Sequence, residues 1–473
     1  TVSVLYWVSG MGREMRYSAP RGAPPETAID FLARRFTYFT ADDWRRQIER
    51  GYVRVNGATL EVPEQVLRQQ DRLFYEPPRE LEPDVDRTFT VLANDDAVVV
   101  VSKSGNIPVG EGGRYSRNVL TRVVPEVLGL RAEGHGAGGH DKEEGKDGAA
   151  SAKRACAENA AAPSGGMGED VGRGGLPPQL HAVHRLDKET SGLVVMAKTR
   201  DAAAFLGEQF ALHAAQASGS VKSTGVVAPM GAVAAPPEPA AKTYDVLLVG
   251  DLAAVADAPG RRWQARSGDE AHGRELVVEA SIGNAAAANA DSAAALKATA
   301  EDPLAKLRMA CFADGVDDAA AISRAKSKVA KSIFTVVQRY TLPGAVDVTL
   351  TLAKVQLFTG RTHQIRLHAA WCGCPVAGDK LYVSGGGTVP VSTYIARARG
   401  EATVTLKDQT SPATDSAPAE ADANTSFVVS RHLLHSASLA FTHPLTKERV
   451  SFAHPGLPCF AAENPWLAEL QPL

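Results

Sequence analysis

His184-Arg185-Leu186-Asp187-Lys188-Glu189-Thr190-Ser191-Gly192-Leu193 sets one carboxylate among basic groups in a polar turn, and the apolar run Val194-Val195-Met196-Ala197 follows at once. Four consecutive apolar residues after a turn read as a buried strand. Asp187 therefore stands at the mouth of that strand. A carboxylate held there by neighbouring cations stays ionised and can act as a nucleophile.

With 473 residues, 44% hydrophobic and 22% charged, the chain has the make-up of a soluble globular protein of one to three domains. The formal net charge of −3 gives no global basic field, so any nucleic-acid contact has to come from local patches. The five cysteines, Cys156, Cys311, Cys372, Cys374 and Cys459, are odd in number and scattered, which argues against a disulfide framework and for a reducing compartment. Cys372-Gly373-Cys374 lacks the second pair of a zinc site and reads as buried or half-buried free thiols. No apolar run has the length of a membrane span, and Thr1 to Val8 is too short, without a basic stretch before it, for a secretory signal.

From about 24 to 78 the pattern is that of a small module. Ala28 to Leu32 and Trp44 to Ile48 have helical spacing, Tyr52-Val53-Arg54-Val55 alternates as a strand, and Asn56-Gly57 is a hairpin turn. A second strand pair is expected near Leu60 and Leu73-Phe74-Tyr75. The order resembles the S-four-type RNA-binding module. On that resemblance Arg45, Arg46, Arg50 and Arg54 form a phosphate-facing set, diluted by Asp42, Asp43 and Glu49. Residues 1–23 read as an extension and 79–87 as a linker after Pro77-Pro78. The apolar run from Ala97 to Val101 is a buried strand, and a glycine-rich basic loop holding Arg114 follows it. Stretches near 132–178, 213–240, 284–325 and 400–425, rich in Ala, Gly and Ser, read as largely disordered surface insertions, with a partly helical piece from Ala285 to Lys297.

Two further motifs can converge on Asp187. Lys242-Thr243-Tyr244 opens a strand running to Val249. Thr359-Gly360-Arg361-Thr362-His363-Gln364-Ile365-Arg366-Leu367-His368 follows the alternating stretch from Val346 to Leu357, and reads as strand, glycine turn and helix start. The helix should stop before Gly373, and His363 and Arg366, three apart, should share one of its faces. His435 and His443, in the closing segment, read as structural.

The string HRLDKETSGLVVMAKT resembles the signature of the RluA-type RNA pseudouridine synthases, and NDDAVVVVSKSGNIPV, KTY and GRTHQIRLH are similar to that family's other motifs, with Lys103-Ser104 standing where the family has Lys-Pro. The resemblance implies an α+β fold: a central mixed, mostly antiparallel sheet with a catalytic cleft over 88–473, plus the small N-terminal module. It implies that Asp187 is the catalytic residue, that Tyr244 packs on the target base and is a candidate proton acceptor, and that Arg366 pairs with Asp187. His184, Arg185, Arg361 and His363 join Arg114 as candidate RNA contacts, Arg185 by filling the place of a flipped uridine. The implied activity is conversion of uridine to pseudouridine in RNA, tRNA before rRNA, with Asp187 attacking either the ribose or the ring. No metal, nucleotide or redox cofactor is implied, and no membrane partner. A monomer is expected, in the cytoplasm first, and otherwise in the nucleus, mitochondrion or plastid. An RNA-binding protein with an idle synthase core would have lost one of Asp187, Tyr244 and Arg366. A fused deaminase would need His-x-Glu and Pro-Cys-x-x-Cys, and neither occurs.

Overall fold

The computed structural model describes residues 13–18, 24–36, 39–76, 82–113, 115–130, 180–217, 238–257, 263–266, 274–288, 308–313, 317–341, 348–384, 388–389, 397, 403–404, 406, 409 and 427–473. In chain order the N-terminal part runs β1 (Arg13–Arg16), α1 (Ala28–Arg35), α2 (Ala41–Glu49), β2 (Val53–Val55), β3 (Ala58–Thr59) and β4 (Arg72–Tyr75). Both helices start on threonine caps. Thr27 accepts from the Asp30 N–H, and Thr40 with Asp43 forms a capping box. Trp44 and Ile48 of α2, Leu32 of α1 and Leu73 of β4 are fully buried in one core, where the Trp44 ring meets the Tyr75 ring edge-on at 4.9 Å. Asn56 and Gly57 turn the hairpin with φ of 52° and 89°.

Two boundaries of this module differ from the sequence reading. Strand β1 falls inside the stretch taken as an extension, yet it pairs antiparallel with β4 from Arg13 to Arg16 and completes a four-stranded sheet. Four residues of mixed polarity carry too weak an alternation to announce an edge strand. The expected linker is anchored. Glu82 is 5% exposed, and its carboxylate accepts backbone N–H groups from Ser116, Arg117 and Asn118 at 2.9 to 3.1 Å. Charge-assisted bonds of this kind fix the chain against the glycine-rich loop.

The larger part continues with β5 (Phe89–Asn94), β6 (Val98–Lys103), α3 (Leu120–Val127), β7 (His181–Ala182), β8 (Ser191–Ala197), α4 (Arg200–Ala217), β9 (Ala241–Val249), α5 (Leu252–Asp257), β10 (Gln264–Arg266), β11 (Glu275–Asn284), α6 (Ala285–Ala288), β12 (Met309–Phe312), α7 (Ala319–Arg324), β13 (Lys328–Thr341), β14 (Thr349–Leu357), α8 (Gln364–Trp371), β15 (Leu434–Thr442), β16 (Arg449–Ala453), α9 (Gly456–Glu463) and β17 (Gln471–Pro472). A 13-stranded sheet runs β10-β11-β13-β14-β9-β15-β8-β6-β5, with β12, β16, β17 and β7 paired off that path. The fold is α+β, and the sheet is mixed but mostly antiparallel. Among the named strands only β8 and β15 pair parallel, through His435–Ser191 and Ser436–Gly192. The apolar runs in β6 and β8 are continuous because both faces are covered. Val99, Val101, Val194 and Met196 enter one core with Ile107 and Leu120, while Val98, Val100, Leu193 and Val195 enter another with Leu206 and Phe441.

The expected insertion near 132–178 lies outside the described residues, as do 218–237 of the second. The third is partly ordered, contrary to expectation. Strand β12 pairs with β11, and Phe312, Ala288 and Ala325 make a small core beside α7. In the fourth, Val404 and Leu406 are buried, and the Gln409 amide bonds both the Gly378 N–H and the Val376 carbonyl at 2.8 Å. A few apolar side chains in an alanine-rich stretch suffice when a sheet edge is already there to receive them. Among the described residues no helix is long and apolar enough to cross a membrane.

The β8–β15 seam is close. Gly192 has φ of 103°, and a Cβ there would sit 2.4 Å from the Ser436 carbonyl oxygen. Gly192→Ala is expected to destabilise the fold by roughly 2–4 kcal/mol, read as a lower urea midpoint. An unchanged midpoint would show that the seam opens freely.

Candidate active site

The turn at Asp187 is held mainly through its backbone. The Thr190 N–H donates to the Asp187 carbonyl at 3.1 Å. The Lys103 ammonium, buried beneath the turn, donates to the Lys188 carbonyl at 3.1 Å, and burial with the nearby Arg431 pushes its pKa down to about 7. Arg431 donates to the Glu189 carbonyl and to Ser191 Oγ while forking onto the Glu463 carboxylate at 2.6 and 2.7 Å. Thr190 Oγ1 meets His432 Nε2 at 2.8 Å, and Glu189 pairs with Lys380 at 2.6 Å. These fixed groups present the Asp187 carboxylate to a cleft, with 22% of its side chain exposed.

The second wall comes from the loop into α8. Gln364 is buried and ties that loop down. Its Oε1 accepts from Thr359 Oγ1 and the Arg361 N–H, and its amide nitrogen donates to the Lys331 carbonyl and Ser332 Oγ. His363 is the residue before the helix, with φ of 56°, so it does not share a helical face with Arg366 as the spacing implied. The left-handed turn swings it to the same target by another route. His363 Nε2 lies 3.9 Å and Arg366 Nη1 3.4 Å from Asp187 Oδ2. Tyr382 Oη accepts the Met309 N–H and lies 2.8 Å from His363 Nδ1, and the Nε2 side of the ring faces Asp187.

Arg366 is not primarily the partner of Asp187. Its Nε and Nη2 fork onto the fully buried Asp379 at 2.6 and 2.8 Å, and only Nη1 is left for Asp187. Asp379 Oδ1 also accepts the N–H groups of Leu381 and Tyr382. Asp379 fixes the guanidinium plane, and the sequence reading missed it. One Asp after a glycine, thirteen residues beyond Arg366, carries no periodic or motif signal by itself. Burial works to raise the pKa of Asp187, but His363, Arg366 and Arg185 outweigh it and hold the carboxyl below the usual aspartate range. His363 itself is pushed down to about 4, chiefly by burial, and is a neutral donor at physiological pH.

Two cavities meet at this carboxylate. One of about 400 Å³ is walled by Tyr244, Lys242, Phe210, Arg361 and Leu357. The other, about 760 Å³, opens between the turn and the loop from Pro108 to Tyr115, with Lys380 and His432. Asp187, Arg185, His363 and Arg366 line both. Tyr244 stands on β9 between Val355 and Ser436 of the neighbouring strands and is 5% exposed. Burial and Asp187 raise its pKa well above the tyrosine range, so the phenol is neutral.

The other sequence-derived candidates divide. Arg185 is exposed at the cleft, and Arg361 lines it while donating to the Val329 carbonyl. His184 lies against the Phe210 ring at 4.8 Å, and its Nε2 accepts the Val195 N–H, so it braces β8. Arg114 lies outside the described residues. In the N-terminal module Arg45 pairs with Asp42 and Glu64, Arg46 with Asp43, and Arg54 with Glu76. Arg50, exposed at the end of α2, is the member of that set with no carboxylate partner among the described residues.

Residues 162–221, which contain the Asp187 turn, match the family model described as RNA pseudouridylate synthase. The chain is 29% identical over 273 residues to RNA pseudouridine synthase 2, chloroplastic, of Arabidopsis thaliana, covering 58% of this chain and 43% of that one. It is 22% identical over 354 residues to the mitochondrial tRNA pseudouridine(32) synthase of Saccharomyces cerevisiae, covering 75% and 50%. It is 27% identical over 205 residues to the ribosomal large subunit pseudouridine synthase D of Nitrosomonas europaea, covering 43% and 36%. Over these stretches the chain is similar to RNA pseudouridine synthases. It spans half or less of the length of these three relatives.

The carboxyl carbon signal lost in Asp187→Asn is expected to titrate below the exposed aspartates in a ¹³C NMR series. By linkage, a depressed folded pKa adds stability that is present above the unfolded value and disappears as pH falls through the folded one. A midpoint at or above the exposed aspartates would show that burial wins over the three basic groups.

Proposed function

We propose that this chain converts uridine to pseudouridine in RNA, with Asp187 as the nucleophile. The observation that carries the reading is the ionised, partly exposed Asp187 carboxylate at the meeting of two cavities, steadied by Arg366 and faced by the Tyr244 wall. A uridine in a helix is out of reach of such a group. It has to be extruded, at a cost of about a few kcal/mol. The exposed Arg185 guanidinium fills the gap left in the stack and offsets part of that cost. The smaller cavity receives the nucleoside, with the base against Tyr244.

Asp187 then attacks C1′ of the ribose, breaking the N-glycosidic bond, or adds to the uracil ring; both routes use the same groups. The uracil turns within the pocket and bonds to C1′ through C5 as the aspartate leaves. The C5 proton is lost and N1 gains one, so nothing is consumed overall. Arg366 keeps Asp187 ionised in the free site. Because Asp379 occupies two edges of Arg366, its guanidinium cannot swing away when the charge of Asp187 is spent.

The substrate of this proposal is a structured RNA, tRNA before rRNA; a tRNA-modifying relative supports that order, and a ribosomal one supports the alternative. The N-terminal module is proposed as an auxiliary RNA contact through Arg50, with Arg45 and Arg46 exchanging carboxylates for phosphates. The described cysteines are free thiols, in keeping with a reducing intracellular compartment, and the two organellar relatives support a plastid or mitochondrion beside the cytoplasm.

Pseudouridine mapping by carbodiimide-based sequencing, in cells carrying the wild-type chain or Asp187→Asn, tests the activity. Sites present with the wild type should disappear with the variant, a loss of at least about 10³-fold in rate on the mapped RNA in vitro. If no site changes while the variant stays folded and abundant, the chain is an RNA-binding protein on an inherited scaffold.

A further inference from the structure

Three side chains that the proposed chemistry does not use converge beside the β8–β15 seam. His435 lies on β15 and is fully buried, His454 follows β16, and Cys459 lies in α9, the last two half-buried. One ligating atom from each lies within 4.8 Å of the other two. His435 Nε2 is 3.3 Å from His454 Nδ1, and Cys459 Sγ is 3.7 Å from the same Nδ1. A tetrahedral zinc ion, bonded at about 2.0 Å to nitrogen and about 2.3 Å to sulfur, sets edges of about 3.3 Å between two nitrogens and about 3.6 Å between nitrogen and sulfur. Two of the three edges already have those lengths.

We propose that His435, His454 and Cys459 form a binding site for a zinc-class divalent cation, with the fourth position open to water. The surroundings supply what such a site needs. His435 Nδ1 lies 2.9 Å from Ser191 Oγ, which accepts in turn from Arg431 Nη2. Without metal, His435 Nε2–H donates to the His454 carbonyl at 2.9 Å and the serine hydroxyl donates to Nδ1. On binding, Nε2 takes the metal, the proton moves to Nδ1 and the serine oxygen accepts it. A hydroxyl serves either tautomer, so the ring keeps a partner in both states. The Cys459 thiol releases its proton to solvent as the thiolate–metal bond forms.

Asp245 stands nearby but is already committed to Lys354 and to the Gly456 N–H. Gly456 explains how the third ligand arrives. A Cβ there would lie 2.8 Å from the His435 Cβ and 2.9 Å from that of Asp245. Only a residue without one lets α9 begin against His435 and bring Cys459 within reach. An ion there joins β15, the segment after β16 and α9, and it touches the catalytic turn through Ser191. It is a structural staple and not part of the reaction.

Cobalt(II) titration of the metal-stripped full chain tests the site. The expected result is tetrahedral d–d absorption with a near-ultraviolet thiolate-to-cobalt band, saturating at a single equivalent and displaced by zinc. Cys459→Ser should remove the thiolate band, whereas Cys156→Ser and Cys311→Ser should keep it. His454→Asn leaves the thiol in place and should weaken cobalt binding by at least roughly tenfold, with circular dichroism showing each variant folded. An octahedral aqua-type spectrum, or a thiolate band that survives Cys459→Ser, overturns the proposal and leaves the cluster a hydrogen-bonded corner. Neither result depends on pseudouridine formation.

Discussion

The two halves of the large sheet meet in a parallel seam only two residue pairs long, and the active site depends on it. Parallel pairing of β8 with β15 means that the chain enters β8 and β15 from the same side. The Asp187 turn before β8 and the Arg431-His432 segment before β15 therefore lie together. Gly192 makes the short seam possible by letting the two backbones approach within the reach of a Cβ. Around it Arg431 uses its donors on Glu463, Ser191, Glu189 and its neighbour's carbonyl, a density of bonds that replaces the missing ladder.

The electrostatics of the cleft follow a second constraint. A carboxylate in a partly buried pocket tends to take up a proton, and a single flexible cation nearby is a poor remedy because it moves. Here Arg366 is locked by a fully buried aspartate that is itself held by two backbone N–H groups. The Asp379–Arg366 pair is close to neutral, so burying it costs less than burying the cation alone. Its remaining edge still offers a directed donor to Asp187. His363 brings a second nitrogen to 3.9 Å from Asp187 and, pushed down by burial, adds no charge at neutral pH.

The fold class and the place of the Asp187 carboxylate at the start of a buried strand were legible because both rest on local sequence. Continuous apolar runs mark β6 and β8, and one turn holds Asp187. Tyr244 and Arg366 were legible as members of motifs. Their working states were not, because the burial of Tyr244 and the fork from Arg366 to Asp379 exist only after strands far apart in sequence have paired. His363 shows the limit of periodicity most clearly. Spacing put it on a helix face, whereas a left-handed backbone turn places it before the helix and still beside Asp187. Glu82 and strand β1 were missed for a related reason. An acidic residue after two prolines looks like linker until the three N–H groups that receive it are seen, and four mixed residues look like an extension until β4 stands beside them.

Charge distribution then connects the two parts of the chain. With a net charge of −3, and with Arg45, Arg46 and Arg54 engaged by carboxylates of their own module, the N-terminal part offers little uncompensated positive field. The cleft differs. Arg185, Arg361, His363, Arg366 and Lys242 line one cavity around the single carboxylate of Asp187.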